Sequence, residues 1–169
     1  MKRFVLFPDS LVSSAYTIDY ERLYAEGYRG IIYDIDNTLV PHDAPADGAS
    51  IALMRRLKNI GFHTCVVSNN KEPRVKSFHD GSGVEFYVYK AGKPLGKGYK
   101  EAMKLMSTTP STTISVGDQI FTDVWGARLL GIYSIMCEPI KKWTEPPQII
   151  IKRIVEAPLM LIYKLLYRK

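Results

Sequence analysis

Residues 33 to 40 read Tyr33-Asp34-Ile35-Asp36-Asn37-Thr38-Leu39-Val40. They continue an apolar run, Gly30-Ile31-Ile32-Tyr33, that suits a buried strand. The run ends in two aspartates one residue apart. Carboxylates that close raise each other's pKa unless a positive charge lies between them. The stretch therefore demands a cation and, with it, a use for so much negative charge at the end of a strand.

Outward from this stretch the chain alternates β-rich runs with helical patterns. Further strands are predicted at about 62–67, 84–89, 112–116 and 132–137, the first being 30–34. Helices are predicted over about 47–60, 72–78, 95–106 and 122–130, with an earlier one over about 20–26. Gly61 and Gly131 follow two of these helices, where left-handed caps are expected. Such alternation indicates an α/β fold, a parallel sheet with helices on both faces. Right-handed crossovers place every strand's carboxyl end on one edge, where open α/β sheets bind ligands. The division expected is 1–29 as an N-terminal extension with a helix, 30–140 as the catalytic domain and 141–169 as a tail.

The 169 residues suit one domain, and the 46% apolar content is ordinary for a globular chain. Cys65 and Cys137 both lie in predicted strands, so two buried thiols are expected rather than a disulfide. The short apolar start ends at Pro8-Asp9, too early for a signal peptide, and a cytoplasmic protein is expected. The net charge of +6 is uneven. From Lys141 onward seven cations face Glu145 and Glu156, so the tail carries +5 and the body almost nothing. A positive tail on a neutral body suits an acidic surface. The aromatic–basic interleaving of a nucleic-acid module is missing, and no nucleic-acid partner is expected.

Collected at the predicted edge are Asp34, Asp36, Ser68, Lys93, Asp118 and Asp123. Four carboxylates, a hydroxyl and a lysine make a poor core and a good hard-cation site with room for a phosphate. Mg²⁺ takes oxygen ligands, relieves the repulsion and clamps a phosphoryl oxygen. These pieces resemble the haloacid dehalogenase (HAD) phosphatase superfamily over about 30–137. Asp34-Ile35-Asp36-Asn37-Thr38 matches its first motif and Ser68-Asn69 its second. Lys93 matches the third, and Gly117-Asp118 with Asp123 the fourth. The resemblance implies a Rossmannoid sheet of order 3-2-1-4-5, counted from the strand at Gly30. It also implies roles: Asp34 as nucleophile, Asp36 as acid then base, and Ser68 and Lys93 as phosphate ligands. Mg²⁺ is implied on Asp34, the Asp36 main-chain carbonyl and Asp118, with Asp123 supporting the metal shell or Lys93. Thr38 and Asn69 are expected beside the substrate. Arg74 is expected either at a lipid phosphate or on a solvated helix face. His42 and His63 read as ordinary loop and strand residues.

Asp34 to Ser68 spans 34 positions and Ser68 to Lys93 spans 25, all consumed by predicted helices and strands. No cap domain fits, so the site is expected to be open to a large or surface-presented substrate. On a helical wheel, Ile151, Ile154, Val155, Leu161, Ile162, Leu165 and Leu166 share one side of the tail. Lys152, Arg153, Glu156, Lys164 and Arg168 take the other, and Pro158 is expected to kink or split the helix. Such a helix suits a membrane interface; packing on its own domain or on a second copy fits equally. Phe7-Pro8-Asp9, Asp36-Asn37-Thr38-Leu39-Val40-Pro41 and Ser68-Asn69-Asn70-Lys71-Glu72-Pro73-Arg74-Val75 look like the YqeG-type branch of HAD subfamily IIIA. That branch is similar to phosphatidylglycerophosphate phosphatases. The resemblance implies a peripheral enzyme of phospholipid metabolism acting on an anionic phospholipid. The alternatives are a phosphatase for a soluble phosphate and a scaffold that only binds phosphate.

Overall fold

The computed structural model describes residues 4–141 and 146–167; the tail charges at Lys142, Glu145, Arg168 and Lys169 lie outside them. In chain order the elements are β1 (Ser10–Val12), α1 (Tyr20–Ala25), β2 (Gly30–Tyr33), α2 (Gly48–Ile60), β3 (His63–Val67) and α3 (Glu72–Ser82). They continue with β4 (Phe86–Val88), α4 (Lys97–Leu105), β5 (Thr113–Gly117), α5 (Trp125–Leu129), β6 (Tyr133–Cys137) and α6 (Pro147–Tyr167). One six-stranded sheet results, in the order β1-β6-β5-β2-β3-β4. Every pairing is parallel, so all strands end on one edge.

β2 lies in the middle, with Tyr33 in register with Val66 on one side and Val116 on the other. Its side chains alternate between two cores. Ile31 and Tyr33 join Leu53, Leu57, Val75 and Phe78 under α2 and α3. Ile32 faces the other way, with Tyr99, Ala102 and Ala127 from α4 and α5. Burial on both faces is why these strands read as continuous apolar runs. Gly61 and Gly131 adopt the left-handed conformation expected of them, at φ 112° and 73°.

The sheet has one strand more than the sequence revealed. The five strands of order 3-2-1-4-5 are present, and Ser10–Val12 pairs with β6 to add a sixth at the edge. Residues 1–29 are thus not merely an extension. Asp9 secures the strand: its carboxylate accepts the Ser134 N–H at 2.9 Å and pairs with Arg128. Three other expectations are corrected. α3 runs on to Ser82, ending at Gly83 with φ 77° rather than at Phe78. The helix expected at 122–130 begins as a π-helical turn, Ile120–Val124, before α5. α6 is one helix through Pro158, not two.

Proline removes its own N–H from the helix ladder and its ring crowds the carbonyl four residues back, and packing on both sides of it holds α6 together. Ahead of Pro158, Glu156 is buried and accepts the Phe121 N–H at 3.0 Å. Beyond it, Tyr163 is buried with its ring 5.6 Å from that of Phe7. The residues grouped on the apolar side of the wheel, Ile151 to Leu166, are all exposed. α6 docks through its mixed face and turns its most apolar face outward.

Candidate active site

Asp34 follows β2 directly, and its N–H donates to the Val116 carbonyl at 3.0 Å, which keeps it in the sheet plane. The chain then turns sharply. Asn37 sits at φ 62° and its N–H donates to the Val40 carbonyl at 2.7 Å. Asparagine tolerates this left-handed conformation better than most residues. Two backbone N–H groups after β6, from Ile140 and Lys141, donate to the Asn37 carbonyl and its Oδ1 at 3.1 Å each. The loop carrying Asp36 is therefore braced by both the sheet and the segment after it.

Lys93 is the cation the opening stretch demands. Its Nζ lies 2.6 Å from Asp34 Oδ1 and 2.8 Å from Asp123 Oδ1, and it is buried. It precedes a cis peptide bond to Pro94. Asn69 fixes the segment, accepting the Lys93 N–H at 2.7 Å and donating to the Lys93 carbonyl at 3.1 Å. Asp123 reaches back over the end of β5, where a Cβ on Gly117 would collide with its Cβ and Cγ. Glycine is required there by close approach. The Gln119 N–H donates to Asp123 Oδ2 at 3.1 Å. From α4, the Tyr99 hydroxyl donates to the carbonyls of Thr122 and Asp123 at 3.1 and 3.2 Å, holding the π-helical turn.

Asp118 is fully buried. It accepts from the Thr38 hydroxyl at 3.2 Å and from the Arg153 guanidinium at 2.5 Å. Carboxylate oxygens of Asp34, Asp118 and Asp123 lie within 4.8 Å of one another. Burial pushes the Asp34 carboxyl up to about 8; Lys93 opposes this, while Asp123 and Asp118 add to it. Burial also works against the charge on Lys93, but Asp123 and Asp34 outweigh it and hold the ammonium well above its ordinary range. A hard divalent cation fits this set: three carboxylates, two of them buried, converge within reach of one ion.

Asp36 faces a different group. Its Oδ1 accepts from Arg74 at 2.8 Å and from the Asp43 N–H at 2.9 Å, and its Oδ2 accepts from Asn70 Nδ2 at 2.6 Å. Its carboxylate also lies within reach of His42 and Asp43. The side chain thus stands apart from the cluster of Asp34, Asp118 and Asp123. Ser68 is buried, with its Oγ accepting the Asn70 N–H at 3.1 Å, which starts the turn into α3.

The expected residues lie at the carboxyl edge, and three of them are tied to other members of the group. Asn69 serves the Lys93 backbone, Thr38 serves Asp118, and Arg74 is tied to Asp36. Asn70 and Arg153 are additions. Asn70 is visible in the sequence only as a neighbour of Ser68. Arg153 sits on the polar side of a remote helix, and nothing in the sequence says where that helix packs. Between β2 and β5 the chain forms α2, β3, α3, β4, α4, a short 3-10 turn and their connections, with no cap domain inserted among these described residues.

The family model for haloacid dehalogenase-like hydrolases matches residues 41–131. The match begins past Asp34 and Asp36 and takes in Ser68, Lys93, Asp118 and Asp123. Over 141 residues the chain is 38% identical to the probable phosphatase YqeG of Bacillus subtilis (strain 168), spanning 83% of this chain and 81% of that one. It is 29% identical over 155 residues to phosphatidylglycerophosphate phosphatase 1 of Arabidopsis thaliana, named chloroplastic/mitochondrial. That alignment takes in 86% of this chain but only 44% of the plant protein. An uncharacterized protein from Listeria monocytogenes serotype 4b has a similar structure, with a TM-score of 0.54 at 14% identity. Its match covers 79% of this chain and 97% of that one. At such identity the likeness is one of fold.

Proposed function

The chain belongs to the haloacid dehalogenase-like hydrolases and is a phosphatase; from that premise we propose that it hydrolyses a phospholipid monoester, phosphatidylglycerophosphate, at a membrane surface. The observation that carries the reading is the cluster of half-buried Asp34 with buried Lys93, Asp118 and Asp123 on a sheet edge where the described residues insert no cap between β2 and β5. The plant relative's name supplies the lipid. A site without a lid suits a substrate that stays in its membrane.

In this reading an Asp34 carboxylate oxygen attacks phosphorus, a P–O bond forms, and the bond to the leaving glycerol oxygen breaks. Asp36 gives that oxygen a proton. Water then attacks the aspartyl-phosphate, Asp36 takes the proton back, and inorganic phosphate leaves with Asp34 restored. One hard displacement becomes two easier ones. Lys93 keeps Asp34 oriented and places positive charge where the phosphoryl oxygens gather. Ser68 and Asn69 shape the phosphate-facing turn, and Arg74 with Asn70 holds Asp36 in place. Asp34, Asp118 and Asp123 would hold Mg²⁺, which neutralises phosphoryl charge.

The deciding experiment measures phosphate release from phosphatidylglycerophosphate vesicles, glycerol 3-phosphate and an aryl phosphate, with Mg²⁺ or with chelator. The lipid is expected to be favoured at least tenfold in kcat/KM and the chelator to abolish turnover. Asp34→Asn is expected to fall to background, and Asp36→Asn to lose about 10²–10⁴-fold in kcat. Preference for a soluble phosphate would remove the lipid from the reading. Full cellular function of Asp34→Asn would leave only a phosphate-binding scaffold.

A further inference from the structure

α6 reaches into the candidate active site at two points. Arg153 Nη2 donates to Asp118 Oδ2 at 2.5 Å, and its Nη1 donates to the Asp118 carbonyl at 3.4 Å. Glu156 accepts the Phe121 N–H at 3.0 Å, within the π-helical turn Ile120–Val124 that carries Asp123. One helix therefore touches Asp118 directly and Asp123 through its turn.

Both oxygens of Asp118 are engaged. Oδ1 accepts the Thr38 hydroxyl at 3.2 Å, and Oδ2 accepts the guanidinium. The carboxylate is fully buried and the Arg153 side chain is 15% exposed, so salt and water screen the pair little. Lys93 serves Asp34 and Asp123, and Arg153 serves Asp118, so three carboxylates face two built-in cations. A divalent ion on the ionised carboxylates gives this cluster a net positive charge while Arg153 stays. Once Arg153 is gone, the same ion leaves the cluster neutral. Two cations at one buried carboxylate repel each other strongly where the dielectric is low. Arg153 therefore weakens the hold of the cluster on a metal.

The seat of α6 is loose enough for that repulsion to matter. A cavity of about 450 Å³ lies under the helix, bordered by Asp118, Arg153, Ile154, Glu156 and Met160 among others. Beyond the cavity, Tyr163 and Tyr167 rest against Phe7. An element seated over a void has fewer buried contacts to lose and opens at lower cost.

We propose that Arg153 is a cationic stopper on Asp118, so that docking of α6 and binding of a divalent metal compete for one carboxylate. The inference rests on the metal-assisted phosphatase reading and is independent of which phosphate is hydrolysed. Such coupling is reciprocal. The docked helix lowers metal affinity, and the metal loosens the helix. An arginine that only orients Asp118 would do the opposite in both directions.

The test has two arms, and the proposal needs both. The first follows Mn²⁺ binding to the full chain by electron paramagnetic resonance, without substrate. Arg153→Gln keeps a hydrogen-bond donor without the charge and is expected to lower the Mn²⁺ Kd by about tenfold or more. Arg153→Lys keeps the charge without the fork and is expected to stay close to the wild type. An unchanged or higher Kd in Arg153→Gln overturns the stopper, as does an equal fall in both variants. The second arm needs no variant: hydrogen exchange of the wild-type chain in Mg²⁺ or in chelator. Amides of residues 150–157 are expected to exchange faster in Mg²⁺, while those of β2 and β5 slow. Slower or unchanged exchange in α6 overturns the stopper. If Mn²⁺ binds and either arm fails, the stopper alone falls and the phosphatase reading stands. If the wild type binds no Mn²⁺, the metal in the proposed function falls and the stopper with it.

Discussion

Asp34 carries the electrostatic tension of the site. No single cation bridges the two aspartates: Lys93 pairs with Asp34 and Arg74 with Asp36, while Arg153 pairs with the neighbouring Asp118. Even so, burial leaves Asp34 raised to about 8 against an ordinary 3.8. The folded chain then binds a proton at Asp34 that the unfolded chain has lost between about pH 4 and pH 8. Stability of the metal-free protein falls as pH climbs through that window. A divalent cation must displace the same proton, so its affinity rises with pH until about 8. The gain in Tm on adding Mg²⁺ is expected to be clearly larger near pH 8.5 than near pH 6, and paired melts in Mg²⁺ or chelator measure it. An equal gain at both pH values would mean that Asp34 is not a ligand. All four motif groups were legible as residue types because each follows a strand. The partners of Asn69, Thr38 and Arg74 were not, because a polar side chain near a phosphate site is equally placed to hold a neighbour.

At the scale of elements, legibility followed burial. β2, β3, β5 and β6 are central and apolar on both faces, so their sequences stand out, and β4 is flanked by clear turns. β1 is three residues long and lies at an edge; it is secured by the Asp9 carboxylate at Ser134 and Arg128, contacts made 125 and 119 residues away. The wheel grouped the residues of α6 correctly but could not say which face would pack. That choice is made by the Arg153–Asp118 pair, by Glu156 at the Phe121 N–H, and by Tyr163 against Phe7. Glu156 gives this docking a pH dependence. Burial pushes its carboxyl up to about 7, with the Phe121 N–H opposing and Asp123 adding to the rise. For an acid raised above its ordinary 4.5, folding is penalised increasingly as pH rises from about 4.5 to about 7. Glu156→Gln keeps an oxygen for Phe121 and removes the penalty. In metal-free buffer the variant is expected to melt with the wild type near pH 5 and several degrees above it near pH 8. An offset equal at both values would show that the change acts through packing alone.

Across the whole molecule, two polar interests share the carboxyl edge of the sheet and one apolar surface lies beside them. Among the described residues no helix is long and apolar enough to cross a membrane. Yet Ile162, Leu165 and Leu166 stand 45%, 71% and 65% exposed on α6, on the face that the domain does not use. Large apolar side chains clustered outward on a basic helix fit a shallow interfacial seat. Each Lys or Arg near an anionic leaflet contributes on the order of 1 kcal/mol, and burying a leucine contributes roughly 1.5–3 kcal/mol. Replacing three such residues by serine therefore removes several kcal/mol, where about 1.4 kcal/mol is tenfold in an equilibrium. Ile162→Ser/Leu165→Ser/Leu166→Ser is expected to lower partitioning onto phosphatidylglycerol-containing vesicles by more than a hundredfold in a sedimentation assay. The wild-type chain is expected to bind those vesicles and to bind pure phosphatidylcholine vesicles far less, because the basic residues contribute only where the surface is acidic. None of the three residues lines the cavity under α6, so short-chain substrates below their micelle concentration separate loss of the seat from damage to the site. Wild-type binding that ignores lipid charge, or a triple variant that partitions like the wild type, would put the outward face of α6 to some other use and detach the membrane from the chemistry at Asp34.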